Sequence, residues 1–394
     1  MTIAIAGGGI GGLVAAIALA RRGFDVEVLE QQAEPRELGA GISVFANGAR
    51  VLSSLGLDEA LEPLCSYSTG VQIRSGRSGR LVAELRLGAF HETRFGAKAY
   101  TLHRGDLLRV LLETARGTPS VRIQLGQRVS ALSQGADAVI VETELGARLN
   151  AEVLIGADGI HSVVRREAVG ADTPRFSGEV VWRALVSSHG LKAAQTDHHV
   201  LWNGRDRHFL QFPIRRGELL NLGGFVRSDR WQSESWTAPG SRQDFADLFA
   251  DFHPAVRELI DRADDCFVQA IHERDPLPHW WSGRVVLLGD AAHAMPPHMG
   301  QGAGMAIEDA LVLARALADS RGDSSGAFQR YEAKRKARVD RVAGDVRDNA
   351  RMFRVSHPAQ RVAVNAGLWL MSKLRPTASQ ERFSWVYEYD ALSA

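Results

Sequence analysis

The first thirty residues admit few folds. Thr2 to Ala6 is a short apolar run suited to a strand, and Gly7-Gly8-Gly9-Ile10-Gly11-Gly12 follows it with glycines 7, 9 and 12 in a GxGxxG spacing. Leu13 to Arg22 has helical spacing and stops at Gly23. A second strand, Asp25 to Leu29, delivers Glu30 about twenty residues after the glycines. Bare glycines let backbone amides approach a pyrophosphate, the helix N-terminus adds positive potential, and the acid can accept from a ribose hydroxyl pair. The glycine spacing alone is weak. Strand, glycines, helix, strand and Glu30 in that order predict a dinucleotide-binding unit.

A chain of 394 residues exceeds one ordinary domain, so one large or two intimately joined domains are expected, with room for a buried ligand. Lys+Arg 47 against Asp+Glu 46, with no basic block, argues against a nucleic-acid binder. Cys65 and Cys266 lie far apart, which excludes a CxxC redox pair and a cysteine zinc site. No metal site is expected, and a reducing cytoplasm is the expected location. The glycine-rich start lacks the charged region of a signal peptide, and no stretch of about 20 apolar residues predicts a membrane span.

After Glu30 comes a second glycine-rich loop, Leu38 to Ser43, and a helix over Asn47 to Leu55. Ser66 to Phe95 reads as irregular. Arg104 precedes an amphipathic helix, Leu107 to Ala115, where it either caps a phosphate or flavin edge or neutralises Asp106 at the surface. Val121 to Leu125, Arg128 to Leu132 and Ala138 to Glu144 suggest a small antiparallel ribbon. The buried-type strand Glu152 to Gly156 exits through Gly156-Ala157-Asp158-Gly159 into a helix over Val163 to Val169, so Asp158 suits either ligand contact or helix capping.

From Pro174 to about Glu273 the character changes. Short β-rich runs (180–187, 199–202, 208–214, 219–226 and 266–271) surround one helix near Arg242 to Arg262, which predicts an inserted antiparallel sheet. The chain returns at Arg284 to Asp290, an apolar strand ending in Gly289-Asp290, then bends through His293-Ala294-Met295-Pro296-Pro297-His298 into Gly300-Gln301-Gly302. Helices over Met305 to Leu317 and Phe328 to Met352 follow, the second with its many basic residues on a solvated face. The aromatic tail, Ser384 to Asp390, is expected to dock on the molecule.

Four signals in this order, the GxGxxG with Glu30, Arg104, Gly156-Ala157-Asp158-Gly159 and Gly289-Asp290, resemble the single-component FAD-dependent aromatic hydroxylases, such as those of para-hydroxybenzoate, salicylate, 3-hydroxybenzoate and 6-hydroxynicotinate. The resemblance covers essentially the whole chain. It implies an α/β fold: a Rossmann-like FAD-binding domain from 1–173 and 274–394, with C-terminal helices, and an inserted antiparallel β-sheet substrate domain at 174–273. It implies FAD as cofactor, NADH or NADPH as transient reductant, O2 as co-substrate and a small aromatic substrate hydroxylated through a C4a-hydroperoxyflavin, in a monomer or homodimer.

Carried residue by residue, the resemblance puts Gly7, Gly9 and Gly12 on the pyrophosphate, Glu30 with Gln31 on the adenosine ribose, and Arg104 on the phosphate or ribityl region. Val129 and Asp158 join the cofactor site, and Asp290 meets the ribityl chain. The bend from Pro296 through Gly300, Gln301, Gly302 and Ala303 passes along the ring system, where helix amides could stabilise reduced flavin. His208, on a strand of the insertion, orients substrate or handles its proton, or is a buried structural histidine. Gln211, Pro296 and His298 are further catalytic candidates, and His293 and His298 could equally brace the bend. Ser43, Arg183, Phe212 and Pro297 are pocket candidates. Ser43, Phe212 and the 293–298 run resemble salicylate hydroxylase, whereas the Trp385-Val386-Tyr387-Glu388-Tyr389-Asp390 tail resembles the 6-hydroxynicotinate enzymes.

A hydroxylated aromatic or pyridine carboxylate is the favoured substrate. An oxidoreductase or epoxidase of the same fold acting on a non-carboxylate is the alternative. A nicotinamide-dependent dehydrogenase would explain the first motif but leave Gly289-Asp290 and the inserted sheet without purpose.

Overall fold

The computed structural model describes residues 1–34, 40–170, 172–192, 194–229, 238–353, 355, 357–374 and 378–394. Leu38 and Gly39 of the second glycine-rich loop lie outside the described residues. A six-stranded sheet runs in the order Trp281–Ser282, Val285–Leu287, Val153–Gly156, Thr2–Ala6, Asp25–Glu30, Val121–Leu125. All of its pairings are parallel except the first. Its apolar runs are the expected price of cover on both faces: the helix Ile10–Ala20 is buried throughout and packs against the helix Gly302–Asp319. Val121–Leu125, read from sequence as part of a ribbon, instead pairs with Asp25–Glu30 at the edge of this sheet. The ribbon comprises Val129–Gln134, Val139–Thr143 and Arg148–Ala151.

The second sheet has eight strands, ordered Ala238–Gly240, Cys266–Glu273, Arg175–Ser187, Leu219–Arg227, Arg207–Ile214, His198–Asn203, Gly70–Ser75, Leu81–Arg86. The last two correct the reading of 66–95 as irregular. They form a hairpin, followed by the helix Ala89–Phe95, and Gly70–Ser75 joins His198–Asn203 in parallel. The sheet therefore draws strands from outside 174–273.

Trp202, Phe209, Leu220 and Leu222 point to one face of this sheet and form a core with Phe245, Phe249, Val256 and Leu259 of two covering helices, Arg242–Leu248 and Pro254–Asp261. The sequence predicts one helix here. Pro254 cannot extend a helix from the preceding turn, so the chain restarts with Pro254 in the first turn and His253 Nδ1 accepting from the Ala255 amide (3.3 Å).

The long helix Ser324–Phe353 also differs from expectation: Arg335 and Arg338 are buried. Arg335 bonds Asp309 (2.7 Å) and Glu308, and Arg338 grips both oxygens of Glu308 (2.8 and 2.9 Å). Arg338 also donates to the carbonyls of Trp385 and Val386, which docks the aromatic tail as expected. No helix among the described residues is long and apolar enough to cross a membrane.

Candidate active site

One cavity of about 1210 Å³ runs from the carboxyl ends of the parallel strands to the open face of the eight-stranded sheet. Its first wall is the glycine turn. Gly7 has φ +104°, and a Cβ there would lie 2.3 Å from the Ala157 carbonyl oxygen. Gly12 does not line the cavity; its missing side chain lets the helix close on Gly7, whose carbonyl oxygen would be 2.0 Å from a Cβ. Gly9 faces open space and begins the helix without a side-chain cap, so amides of the first turn remain available to an anion. Glu30 accepts from the amides of Gly8 (2.6 Å) and Gln32 (2.8 Å), which fixes the carboxylate at the cavity edge with lone pairs to spare. Gln31 and Val129 line the same end.

Arg104 lines the cavity, and its suggested partner Asp106 is taken by Arg215 (2.9 and 3.2 Å), which removes the surface-pair reading. Burial pushes the Arg104 guanidinium below its ordinary value, opposed by Asp290 and Glu30. Asp158 caps a helix and also faces the cavity. It accepts from the Ser162 hydroxyl (2.5 Å) and the amides of Val163 (2.8 Å) and Val164 (3.1 Å) at the start of Val163–Ala168. Burial raises its carboxyl above the usual range, against these bonds.

Gly289, at φ +59°, turns the chain so that Asp290 opens onto the cavity. Withdrawal from bulk water raises the Asp290 carboxyl, with His293 and Arg104 opposing. Pro297, His298, Gly300, Gly302 and Ala303 line the cavity after it. Pro296 and Gln301 do not. Pro296 faces a cleft of about 20 Å³ behind the bend, and the buried Gln301 accepts from Asn47 Nδ2 (3.2 Å). Asn47 also donates to Glu308 (2.6 Å). His293 Nε2 meets Asp309 (2.5 Å), which also accepts from the Gly289 amide (3.1 Å), so His293 braces the bend from behind. Against burial, His293 and Arg335 hold the Asp309 carboxyl down to about 2.

Across the cavity, side chains alternate along Arg207–Ile214. His208, Leu210 and Phe212 face the cavity; Phe209 and Gln211 face the helix-covered side. Gln211 is thus removed from the site by strand geometry, and its Oε1 accepts from Trp202 Nε1 (3.3 Å). His208 stacks on Phe225 (4.4 Å, 11°) and lies 5.6 Å, ring to ring, from His298. His298 is fixed by Glu179 (2.9 Å), both side chains being buried.

Arg183 donates from Nε to Gln269 (3.1 Å) and has no carboxylate at ion-pair distance among the described residues. Burial, with Arg104 nearby, lowers it to about 10. Ser43 and Phe212 line the cavity too, and Gly41 packs on Phe212 so closely that a Cβ would lie 2.5 Å from the ring.

Several further residues line the cavity that no glycine or acid motif in the sequence marks. Asn221 accepts from the Gly41 amide (2.7 Å), tying the two walls together. His199 tilts against Phe212 (5.3 Å), and burial lowers its imidazole to about 4. His91 comes from the stretch read as irregular, and Tyr387 from the docked tail. Only Tyr387 had a sequence signal, the aromatic run around it.

Glycines that admit close approach, a cation beside the cradle, and two acids positioned for polar hydroxyls fit a flavin dinucleotide. An FAD binding domain model matches residues 1–345. The chain is 37% identical to a 3-amino-4-hydroxybenzoate 2-monooxygenase of Streptomyces platensis over 99% of this chain and 96% of the relative. It is 35% identical to a 3-hydroxybenzoate 6-hydroxylase of Polaromonas naphthalenivorans, again over 99% and 96%. The crystal structure of HpxO from Klebsiella pneumoniae, complexed with FAD and uric acid, superposes with a TM-score of 0.84 at 30% identity, covering 94% of this chain and 93% of that one. The chain belongs to the FAD-dependent aromatic hydroxylases and is an FAD-dependent aromatic-ring monooxygenase.

Proposed function

We propose that this monooxygenase uses NADH or NADPH and O2 to hydroxylate a hydroxy-aromatic or pyridine carboxylate. The observation that carries the reading is Arg183, a cavity-facing cation with no acidic partner among the described residues, on the same sheet face as His208 and Phe212. Reduced FAD, when bound, supplies the activated oxygen for an electron-rich ring. The chain's own groups divide the remaining work. Gly7, Gly9 and the helix amides hold the pyrophosphate, Glu30 and Gln31 the ribose, Arg104 the phosphates, and Asp290 the ribityl hydroxyls, with Asp158 and Val129 completing the cradle.

On the substrate side, Arg183 orients the carboxylate through its terminal nitrogens, its Nε being held by Gln269. His208 receives the ring hydroxyl's proton and so enriches the ring in electrons, while Phe212 packs its face. His298, locked by Glu179, keeps the bend against the sheet. In this assignment 1–173 and 274–394 serve the flavin and 174–273 the substrate, with the hairpin 70–86 extending the substrate sheet. The two hydroxylases named above act, by name, on hydroxybenzoates, which supports the class.

The test is a panel of aromatic carboxylates scored by stimulated NADH and NADPH oxidation with product identification. A hydroxylated acid as product is expected. Stimulation only by rings lacking a carboxylate would remove Arg183 from its role and favour the non-carboxylate alternative.

A further inference from the structure

His91 stands apart from the groups assigned above. It lies in the short helix Ala89–Phe95, lines the cavity and is 3% exposed. Phe95 and Tyr387 each stand 4.8 Å from its ring, and Phe45 6.1 Å. Arg50 ties this aromatic box together, donating to the carbonyls of Phe95, Tyr387 (2.7 Å) and Tyr389 (2.6 Å). His91 Nδ1 is buried without a hydrogen-bond partner. Burial alone pushes the imidazole down to about 4, so the ring is neutral near pH 7. A neutral imidazole offers one donor and one acceptor. Leaving a buried nitrogen unmatched is unfavourable, and the guanidinium groups beside the box are already engaged, Arg50 by three backbone carbonyls and Asp390 and Arg94 by Glu388, so a carboxylate there would lack a free cation. A neutral hydroxyl, amino, ring N–H or carbonyl group matches it.

We propose that His91 is a ligand-anchoring residue that hydrogen-bonds a neutral polar edge of a planar ring held in the chamber, inside a box completed by Tyr387. This rests on the hydroxylase reading for the presence of such a ring. Two rings qualify, the flavin and the aromatic substrate, and they are separable by experiment.

His91→Phe keeps an aromatic ring and removes both nitrogens, whereas His91→Gln keeps a donor and an acceptor. Two titrations are read: apoprotein with FAD, by flavin fluorescence, and holoprotein with 3-hydroxybenzoate or 3-amino-4-hydroxybenzoate, by the change in flavin absorption. In His91→Phe one of the two affinities is expected to fall about tenfold, with most of it regained in His91→Gln. Loss in the FAD titration assigns His91 to the flavin; loss in the other assigns it to the substrate ring. Thermal unfolding checks that each variant folds, and His91→Leu replaces His91→Phe if it does not. Unchanged affinities in the apolar variant, or His91→Gln no better than that variant, overturn the proposal. Absence of any aromatic-induced spectral change in the parent defeats the substrate class, and the FAD titration then decides for or against His91.

Discussion

Asp158 and Asp290 are both cavity carboxylates, yet their surroundings separate what each does for the fold. Asp158 receives a hydroxyl and two amides at a helix start, whereas no described protein group donates to Asp290. Asp158→Ala is therefore expected to lower unfolding free energy by about 1 kcal/mol, the loss of a helix cap, as read by denaturant titration. Asp290→Ala is expected to leave stability nearly unchanged while weakening FAD binding tenfold or more, about 1.5 kcal/mol for hydrogen bonds to a charged group. Equal flavin affinity in the parent and Asp290→Ala would remove Asp290 from the ribityl contact. His208→Ala is expected to raise peroxide released per hydroxylated product, measured with a peroxide assay beside product analysis. Unchanged coupling and substrate affinity would return His208 to a structural role.

At the scale of elements, the parallel strands could be read from sequence because burial on both faces demands near-continuous apolar runs, as in Val285 to Leu288 and Val153 to Ile155. The hairpin 70–86 could not. Its strands interrupt their apolar residues with Gln72, Arg74, Glu84 and Arg86, and the first is recruited by His198–Asn203, more than a hundred residues away. Gln211 differs for the opposite reason: its strand is legible, and the two-residue alternation that turns His208 and Phe212 to the cavity turns Gln211 to the other face. The cavity placement of Gly7, Glu30, Asp290 and His208 is legible because each sits near a strand end or in a motif whose order carries information. That alternation gives a prediction for the far side of the sheet. Phe209→Ala, in the core beneath the covering helices, is expected to cost about 3–5 kcal/mol in thermal or chemical unfolding without altering flavin affinity at temperatures where the variant is folded.

For the molecule as a whole, buried polar groups set the response to acid. His91 and His199 titrate near 4 in the folded chain because burial disfavours their charged forms, against about 6.5 when unfolded. Between these values the unfolded chain binds protons that the folded chain refuses. Stability therefore falls as pH is lowered from about 6.5 to about 4, by up to about 3 kcal/mol for each histidine. Melting temperature against pH should show this limb, and His91→Phe combined with His199→Phe should flatten it. A limb of equal depth in the double variant would place the titrating groups elsewhere. Arg335 and Arg338 illustrate why such interiors escape sequence reading: their charge is plain, but their burial depends on Glu308 and Asp309 from another helix.

The tail's place in the cavity wall bears on the order in which the molecule can be completed during synthesis. Tyr387 leaves the ribosome after every other cavity-lining residue, hundreds of residues behind the glycine turn it helps enclose. A chain cut short before it would still carry the complete cofactor cradle and the substrate face, but one side of the chamber would stand open to water. With the reaction proposed above, such a fragment would be poised to spend reductant on peroxide, and the last helix would separate a contained oxidant from a leaking one.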